Sequence, residues 1–124
     1  MPVDILIADD DEVDFLTVKR ICSKLNLPID YAENGKVALE KLERHPYKLL
    51  ITDIDMPVMN GLQLIKNLKS SSGNSSSTPK IAVVSGTFDT QIVTNFKQLG
   101  IDYFFQKPIN KEGILEIFSI LKLI

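Results

Sequence analysis

Five short apolar runs alternate along this chain with five stretches in which apolar residues recur every three or four positions. Short apolar runs bounded by polar residues suit strands buried on both faces, and strand–helix alternation marks a parallel sheet covered by helices on both sides. Strands are predicted near Asp4–Ala8, Ile29–Ala32, Lys48–Thr52, Lys80–Ser85 and Tyr103–Gln106. The first helix carries Phe15, Val18, Ile21, Cys22 and Leu25 at helical spacing, with Asp11 placed to cap it. A second follows Asn34-Gly35 and turns Val37, Ala38 and Leu42 inward, and a third follows Gly61 with Leu62, Leu64, Ile65 and Leu68. The fourth runs from Thr90 to Leu99, between the N-cap Asp89 and Gly100, which suits a left-handed turn. The fifth spans Lys111 to Leu123.

The length of 124 residues fits one such core, so residues 1–124 are expected to form a single domain. The tract from Ser70 to Pro79 has no apolar anchor and is predicted to be a mobile loop. A domain boundary there is the competing reading, but neither half has enough strands for a covered sheet. With 14 Lys and Arg against 16 Asp and Glu, the net charge of -2 gives no general attraction to nucleic acid or anionic lipid. Neither direct nucleic-acid binding nor membrane contact is expected. The single cysteine, Cys22, cannot form an internal disulfide, and Met1-Pro2-Val3-Asp4 does not begin a signal peptide, so a cytoplasmic location is expected.

Strand one ends in Asp9-Asp10-Asp11 and strand three in Thr52-Asp53-Ile54-Asp55. Ligand sites of open α/β sheets lie beyond the carboxyl ends of the strands, and the flavodoxin-like order 2-1-3-4-5 makes strands one and three neighbours. Asp9, Asp10 and Asp53 then converge. Two carboxylates about 4 Å apart repel by roughly 4 kcal/mol at an effective dielectric of about 20. A hard cation relieves that conflict. Mg²⁺ suits the case because it accepts one or two carboxylates, keeps waters and leaves positions for a phosphoryl oxygen, whereas Ca²⁺ prefers a larger protein cage. Taken alone, Asp9-Asp10-Asp11-Glu12 is equally a solvated helix start favoured by the helix dipole. The second acidic pair, at the end of another apolar strand, turns the reading toward a site for Asp9, Asp10 and Asp53 and leaves Asp11 as a cap.

Strand four ends in Val84-Ser85-Gly86-Thr87 and strand five in Gln106-Lys107-Pro108. These tips bring a hydroxyl and an ammonium to the carboxylates, with Gly86 leaving room for a group to approach. Singly, Ser85 is as readily a strand-end cap and Lys107 a surface charge. Joint placement at four strand tips favours phosphoryl transfer, where the protein contributes mostly positioning and charge neutralisation.

Across its whole length the chain resembles the receiver domains of two-component response regulators and hybrid histidine kinases. The resemblance rests on Ile5-Leu6-Ile7-Ala8-Asp9-Asp10, Asp53-Ile54-Asp55-Met56-Pro57-Val58-Met59-Asn60-Gly61, Ser85-Gly86 and Lys107-Pro108. It implies a three-layer (βα)5 fold and a phosphoacceptor at Asp53. It further implies Mg²⁺, with Mn²⁺ able to substitute, held by Asp9, Asp10, Asp53 and the backbone carbonyl of Asp55. Ser85 and Lys107 are implied to grip the phosphoryl oxygens, with a cis Lys107-Pro108 bond. Asp55 and Thr87 occupy positions that tune the lifetime of the acyl phosphate, and Phe104 takes the place of an aromatic that moves inward behind Ser85. Phe104 is equally consistent with plain core.

The implied donor is the phosphohistidine of a histidine kinase or histidine phosphotransfer protein, and the receiver catalyses its own phosphorylation and dephosphorylation. The last helix carries Ile114, Ile117, Phe118 and Leu121 at core spacing and Leu115, Ile120, Leu123 and Ile124 at other angles, so a partner surface is expected, for a second receiver docking through the fourth or fifth helix, a kinase domain or the rest of a longer chain. Scattered exposed aliphatics are common without a partner. His45, beside Pro46, reads as a loop residue and not as a relay histidine. The expectation is a stand-alone carrier or one piece of a larger signalling protein. Two alternatives exist: a haloacid-dehalogenase-like phosphatase using Asp53-Ile54-Asp55, and a phosphorylation-independent scaffold of the same fold.

Overall fold

The computed structural model of the chain describes residues 4–71 and 79–120. Among them ten elements alternate: β1 (Ile5–Ala8), α1 (Glu12–Lys24), β2 (Ile29–Ala32), α2 (Gly35–Arg44), β3 (Leu49–Asp53), α3 (Gly61–Ser71), β4 (Lys80–Ser85), α4 (Thr90–Gln98), β5 (Tyr103–Gln106) and α5 (Lys111–Ile120). Every strand pairing is parallel and the order is β2-β1-β3-β4-β5, the expected three-layer flavodoxin-like arrangement.

Side chains alternate across a strand, so each apolar run feeds two cores. Leu6, Leu50, Ile81 and Val83 pack with Ala38, Leu64, Ile65 and Phe96 on the face covered by α2, α3 and α4. Ile5, Ile7, Leu49, Ile51, Ala82 and Val84 pack with Val18, Cys22, Ile114, Ile117 and Phe118 beneath α1 and α5. Double-sided burial of this kind is why the strands read as continuous apolar runs.

Helix ends fall where the capping residues stand. Asp11 accepts hydrogen bonds from the Val13 and Asp14 N–H groups, Asn34 from Val37 and Asp89 from Ile92. Gly100 has a φ of 84°, the left-handed turn expected of it. Boundaries differ from the sequence reading in four places. β1 begins at Ile5, β3 is displaced by one residue to Leu49–Asp53, and α4 stops at Gln98 with Leu99 as its cap. The displacement of β3 arises because Asp53 itself pairs with Val84. α3 continues through Ser71, so Ser70, expected in the loop, is helical and its hydroxyl donates to the Asn67 carbonyl at 3.2 Å. Positions 72–78 of that expected mobile loop lie outside the described residues, as do Leu121, Leu123 and Ile124.

The segment between β3 and α3 borders the site and is held from two directions. The Gly61 N–H donates to the Ile54 carbonyl at 2.8 Å, and the Gly35 N–H, at the start of α2, donates to the Met59 carbonyl at 2.9 Å. A Cβ at Gly35 would collide with that same carbonyl oxygen. Ala is elsewhere the better helix former by about 1 kcal/mol, yet here backbone would have to give way. Gly35→Ala is expected to destabilise the domain by about 1–3 kcal/mol in urea unfolding; a variant as stable as the parent would show that the α2 contact is not rigid.

Candidate functional site

Register brings the functional side chains together. Ala8 pairs with Thr52, so Asp9, one residue on, stands across from Asp53, and the Asp9 N–H donates to the Ala32 carbonyl at 3.0 Å. Asp53 pairs with Val84, which precedes Ser85, and Ser85 pairs with Gln106, which precedes Lys107. The Lys107 N–H donates to the Ser85 carbonyl at 2.8 Å, extending the β4–β5 ladder past the last strand residue. Four strand tips therefore present their chemistry within two residues of one another along the strands, as the strand order demands.

Asp9 is 6% exposed, and its Oδ1 accepts from the Asp11 N–H at 2.9 Å. Asp53 Oδ1 accepts from the Ile54 N–H at 2.7 Å. Carboxylate oxygens of Asp9, Asp10 and Asp53 lie within 4.8 Å of one another, the one such group among the described residues. A single hard cation spans such a set, directly or through a retained water. The donor set is all oxygen, which suits Mg²⁺ or Mn²⁺ and not a soft metal. The Asp55 side chain is exposed and outside the convergent group.

The Lys107 ammonium donates to Asp9 Oδ2 at 2.9 Å, to Asp53 Oδ2 at 3.0 Å and to Asp14 Oδ2 at 2.8 Å. Asp14 is the participant that sequence reasoning did not identify. Burial pushes the Asp9 carboxyl up to about 6, against the lowering effect of the Asp11 N–H and of Lys107, with the Asp53 charge adding to the rise. Burial also works to lower the Lys107 pKa, but its hydrogen bonds to Asp14, Asp9 and Asp53 outweigh that and hold it above the ordinary lysine value.

Ser85 is buried, and its Oγ is 3.4 Å from the Thr87 N–H, whereas Thr87 is exposed. A Cβ at Gly86 would meet nothing within 4 Å, so the fold itself does not require glycine there. Pro108 is exposed and its bond to Lys107 is cis. Phe104, paired with Val83 two residues before Ser85, is half-buried with its ring edge-on to Phe88 and Phe96 at centroid distances of 5.7 and 6.2 Å. His45 lies exposed at the end of α2 with its ring against Tyr47, away from these tips.

The raised Asp9 value carries a sign for stability. A carboxyl that binds its proton more tightly when folded contributes stability present below the unfolded value of 3.8 and lost as pH rises through about 6. Relative to an Asp9→Asn variant, the metal-free protein is expected to lose about 1–3 kcal/mol of unfolding free energy across that window. Urea unfolding at pH 4 and pH 7 measures it (conditions chosen at about these limits); parallel behaviour of the two proteins would contradict the assignment.

Comparison with known proteins places this geometry. The profile of the family described as the response regulator receiver domain matches residues 5–119. The chain is 30% identical over 118 residues to the peroxide stress-activated histidine kinase mak3 of Schizosaccharomyces pombe, covering 91% of this chain and 5% of that protein. It is 30% identical over 113 residues to two-component response regulator 24 of Arabidopsis thaliana, covering 90% and 78%. A two-component response regulator from Legionella pneumophila superposes with a TM-score of 0.84 at 30% identity, covering 98% of this chain and 99% of that one. The chain spans only a small part of the sensor kinases it matches, 5% of mak3 and 13% of the autoinducer 2 sensor kinase/phosphatase LuxQ of Vibrio parahaemolyticus. Among the described residues no helix is long and apolar enough to cross a membrane. With the fold, the strand-tip chemistry and the profile all in agreement, the chain belongs to the response regulator receiver domain family and is a receiver domain of two-component signalling.

Proposed function

We propose that Asp53 accepts a phosphoryl group from the phosphohistidine of a histidine kinase or histidine phosphotransfer protein, and that the domain changes conformation in response and later returns the group to water. The observation that carries this reading is the shared ammonium: Lys107 contacts Asp9 and Asp53 together, so the residue suited to bind phosphoryl oxygens already faces the candidate nucleophile. An Asp53 oxygen attacks phosphorus, the P–N bond breaks and the imidazole leaves with the electron pair. In the later hydrolysis, water attacks phosphorus and the acyl O–P bond breaks, the carboxylate leaving with the electron pair and the water's oxygen ending in inorganic phosphate.

Asp9, Asp10 and Asp53, with the backbone carbonyl of Asp55, would hold Mg²⁺ or Mn²⁺, which when bound neutralises charge on phosphoryl oxygens. Lys107 supplies a further positive charge and the buried Ser85 a hydroxyl donor. Phosphorylation adds about one unit of negative charge beyond the carboxylate's own. Ser85 moving toward it would vacate space on the α4 side of the sheet, where Phe104 meets Phe88 and Phe96, and Phe104 would follow. Asp55 and Thr87, both exposed beside the site, are assigned to tuning the lifetime of the phosphorylated form, and Pro108 to fixing the backbone that follows the lysine. A second receiver docking through α4 or α5 belongs to the same reading. The match to the receiver family over residues 5–119 disfavours the phosphatase alternative.

Incubation with a small acyl phosphate and Mg²⁺ is expected to add one phosphoryl group to the parent protein by intact-mass spectrometry, none to Asp53→Asn, and none when the metal is chelated. Labelling of the asparagine variant at the parental rate would remove Asp53 from the role. Asp55→Ala is expected to change the half-life of the phosphorylated form by about tenfold, corresponding to about 1.4 kcal/mol at the hydrolytic barrier; an unchanged half-life would remove Asp55 from the tuning role.

A further inference from the structure

A lysine ammonium has three N–H donors, and in this protein each has its own carboxylate: Asp9, Asp14 and Asp53. The ammonium is therefore saturated, and two of the three carboxylates that hold it, Asp9 and Asp53, belong to the convergent carboxylate group. A cation entering among Asp9, Asp10 and Asp53 competes with Lys107 for them and repels it. The lysine borders a cavity of about 70 Å³ whose wall holds Asp9, Asp14 and Asp53 and otherwise aliphatic side chains such as Ile7, Ile51 and Ile114. Withdrawal of the charge into the aliphatic part of that space, away from the carboxylates, is unfavourable. The remaining partner is Asp14, on the first turn of α1, whose carboxylate has Lys107 as its one partner among the described residues and the shortest of the three contacts.

We propose that Asp14 is a positioning residue for Lys107: it retains the ammonium at the rim of the site while Asp9 and Asp53 release their oxygens to the divalent cation. This rests on the metal assignment made above. Without the Asp14 charge, Lys107 would have only Asp9 and Asp53 for ion pairs and would oppose the metal more strongly.

The test is calorimetric titration with Mg²⁺ of the unphosphorylated protein, of Asp14→Asn, Asp14→Glu and Lys107→Ala, and of the Asp14→Asn/Lys107→Ala double variant, each checked by thermal melting for a folded domain. Asp14→Asn is expected to weaken Mg²⁺ binding by about three- to fivefold, the range of a partly exposed ion pair, with Asp14→Glu restoring most of it. In the Lys107→Ala background the effect of Asp14→Asn is expected to vanish. Unchanged binding in Asp14→Asn, or a loss that persists undiminished without Lys107, overturns the proposal, the second outcome showing Asp14 to act directly through its field. A parent protein that binds no Mg²⁺ overturns the metal assignment and this inference with it, whereas normal parental binding beside an inert Asp14→Asn overturns this inference alone.

Discussion

The ammonium of Lys107, carried on the residue after β5, ties together Asp9 after β1, Asp53 at the end of β3 and Asp14 in α1. At an effective dielectric of about 20, each carboxylate pair about 4 Å apart costs roughly 4 kcal/mol and each lysine contact returns a similar amount. The three lysine contacts thus offset much of the repulsion among the carboxylates they join. Asp10 stands outside that balance, so four carboxylates and one ammonium leave three net negative charges at the tips. A divalent cation lowers that to one, and the added charge of a phosphoryl group raises the demand for both cations again. Loss of the lysine would leave Asp9, almost wholly buried, facing Asp53 uncompensated, which is the expensive way to break a buried ion pair.

That charge cluster is connected to the rest of the fold on two sides of differing character. Under α1 and α5 the sheet residues Ile7, Ile51 and Val84 pack against aliphatic Val18, Ile114 and Ile117. On the opposite face, Ser85 stands by strand parity on the same side as Val83, the side on which the rings of Phe88, Phe96 and Phe104 pack together. Complete reversal of a two-state element needs about 5.5 kcal/mol of differential stabilisation, within reach of a few charge-assisted contacts in a partly buried site. In the proposed reading, the α4 side is the one on which a local change of charge becomes a change of surface.

Much of this was legible in the sequence because the strand runs are buried on both faces and each ends in polar residues of distinct chemistry. Once the order β2-β1-β3-β4-β5 is expected, Asp9, Asp53, Ser85 and Lys107 must converge, since position at a strand tip is set by register and not by loop conformation. Asp14 was missed because two acidic residues in a first helical turn already have a sufficient explanation in the helix dipole. A signal existed: Asp14, Val18 and Cys22 are spaced by four, and the latter two are buried, so Asp14 continues the inward stripe to the level of the strand tips. Val58 had no such signal. Its φ of 69° is unfavourable for a β-branched residue and follows from the short turn in which the Met59 N–H donates to the Pro57 carbonyl at 2.7 Å. The helical state of Ser70 was also hidden, because serine favours loops until packing of Leu64, Ile65 and Leu68 carries the helix past it.

The geometry also explains why the cation at this tip is a lysine. Its three partners come from three elements and approach one nitrogen from different directions at 2.8, 2.9 and 3.0 Å. A pyramidal ammonium on a flexible stem meets such a set, and it can exchange one partner while keeping the others. The planar guanidinium of arginine would pair two donors with one carboxylate and leave the other two contacts poorly aligned. A fixed bidentate pair is suited to holding one state, whereas a switch that must share its cation first among carboxylates and then with phosphoryl oxygens needs a point charge. In the proposed reading, lysine at position 107 therefore serves the change of state as well as binding.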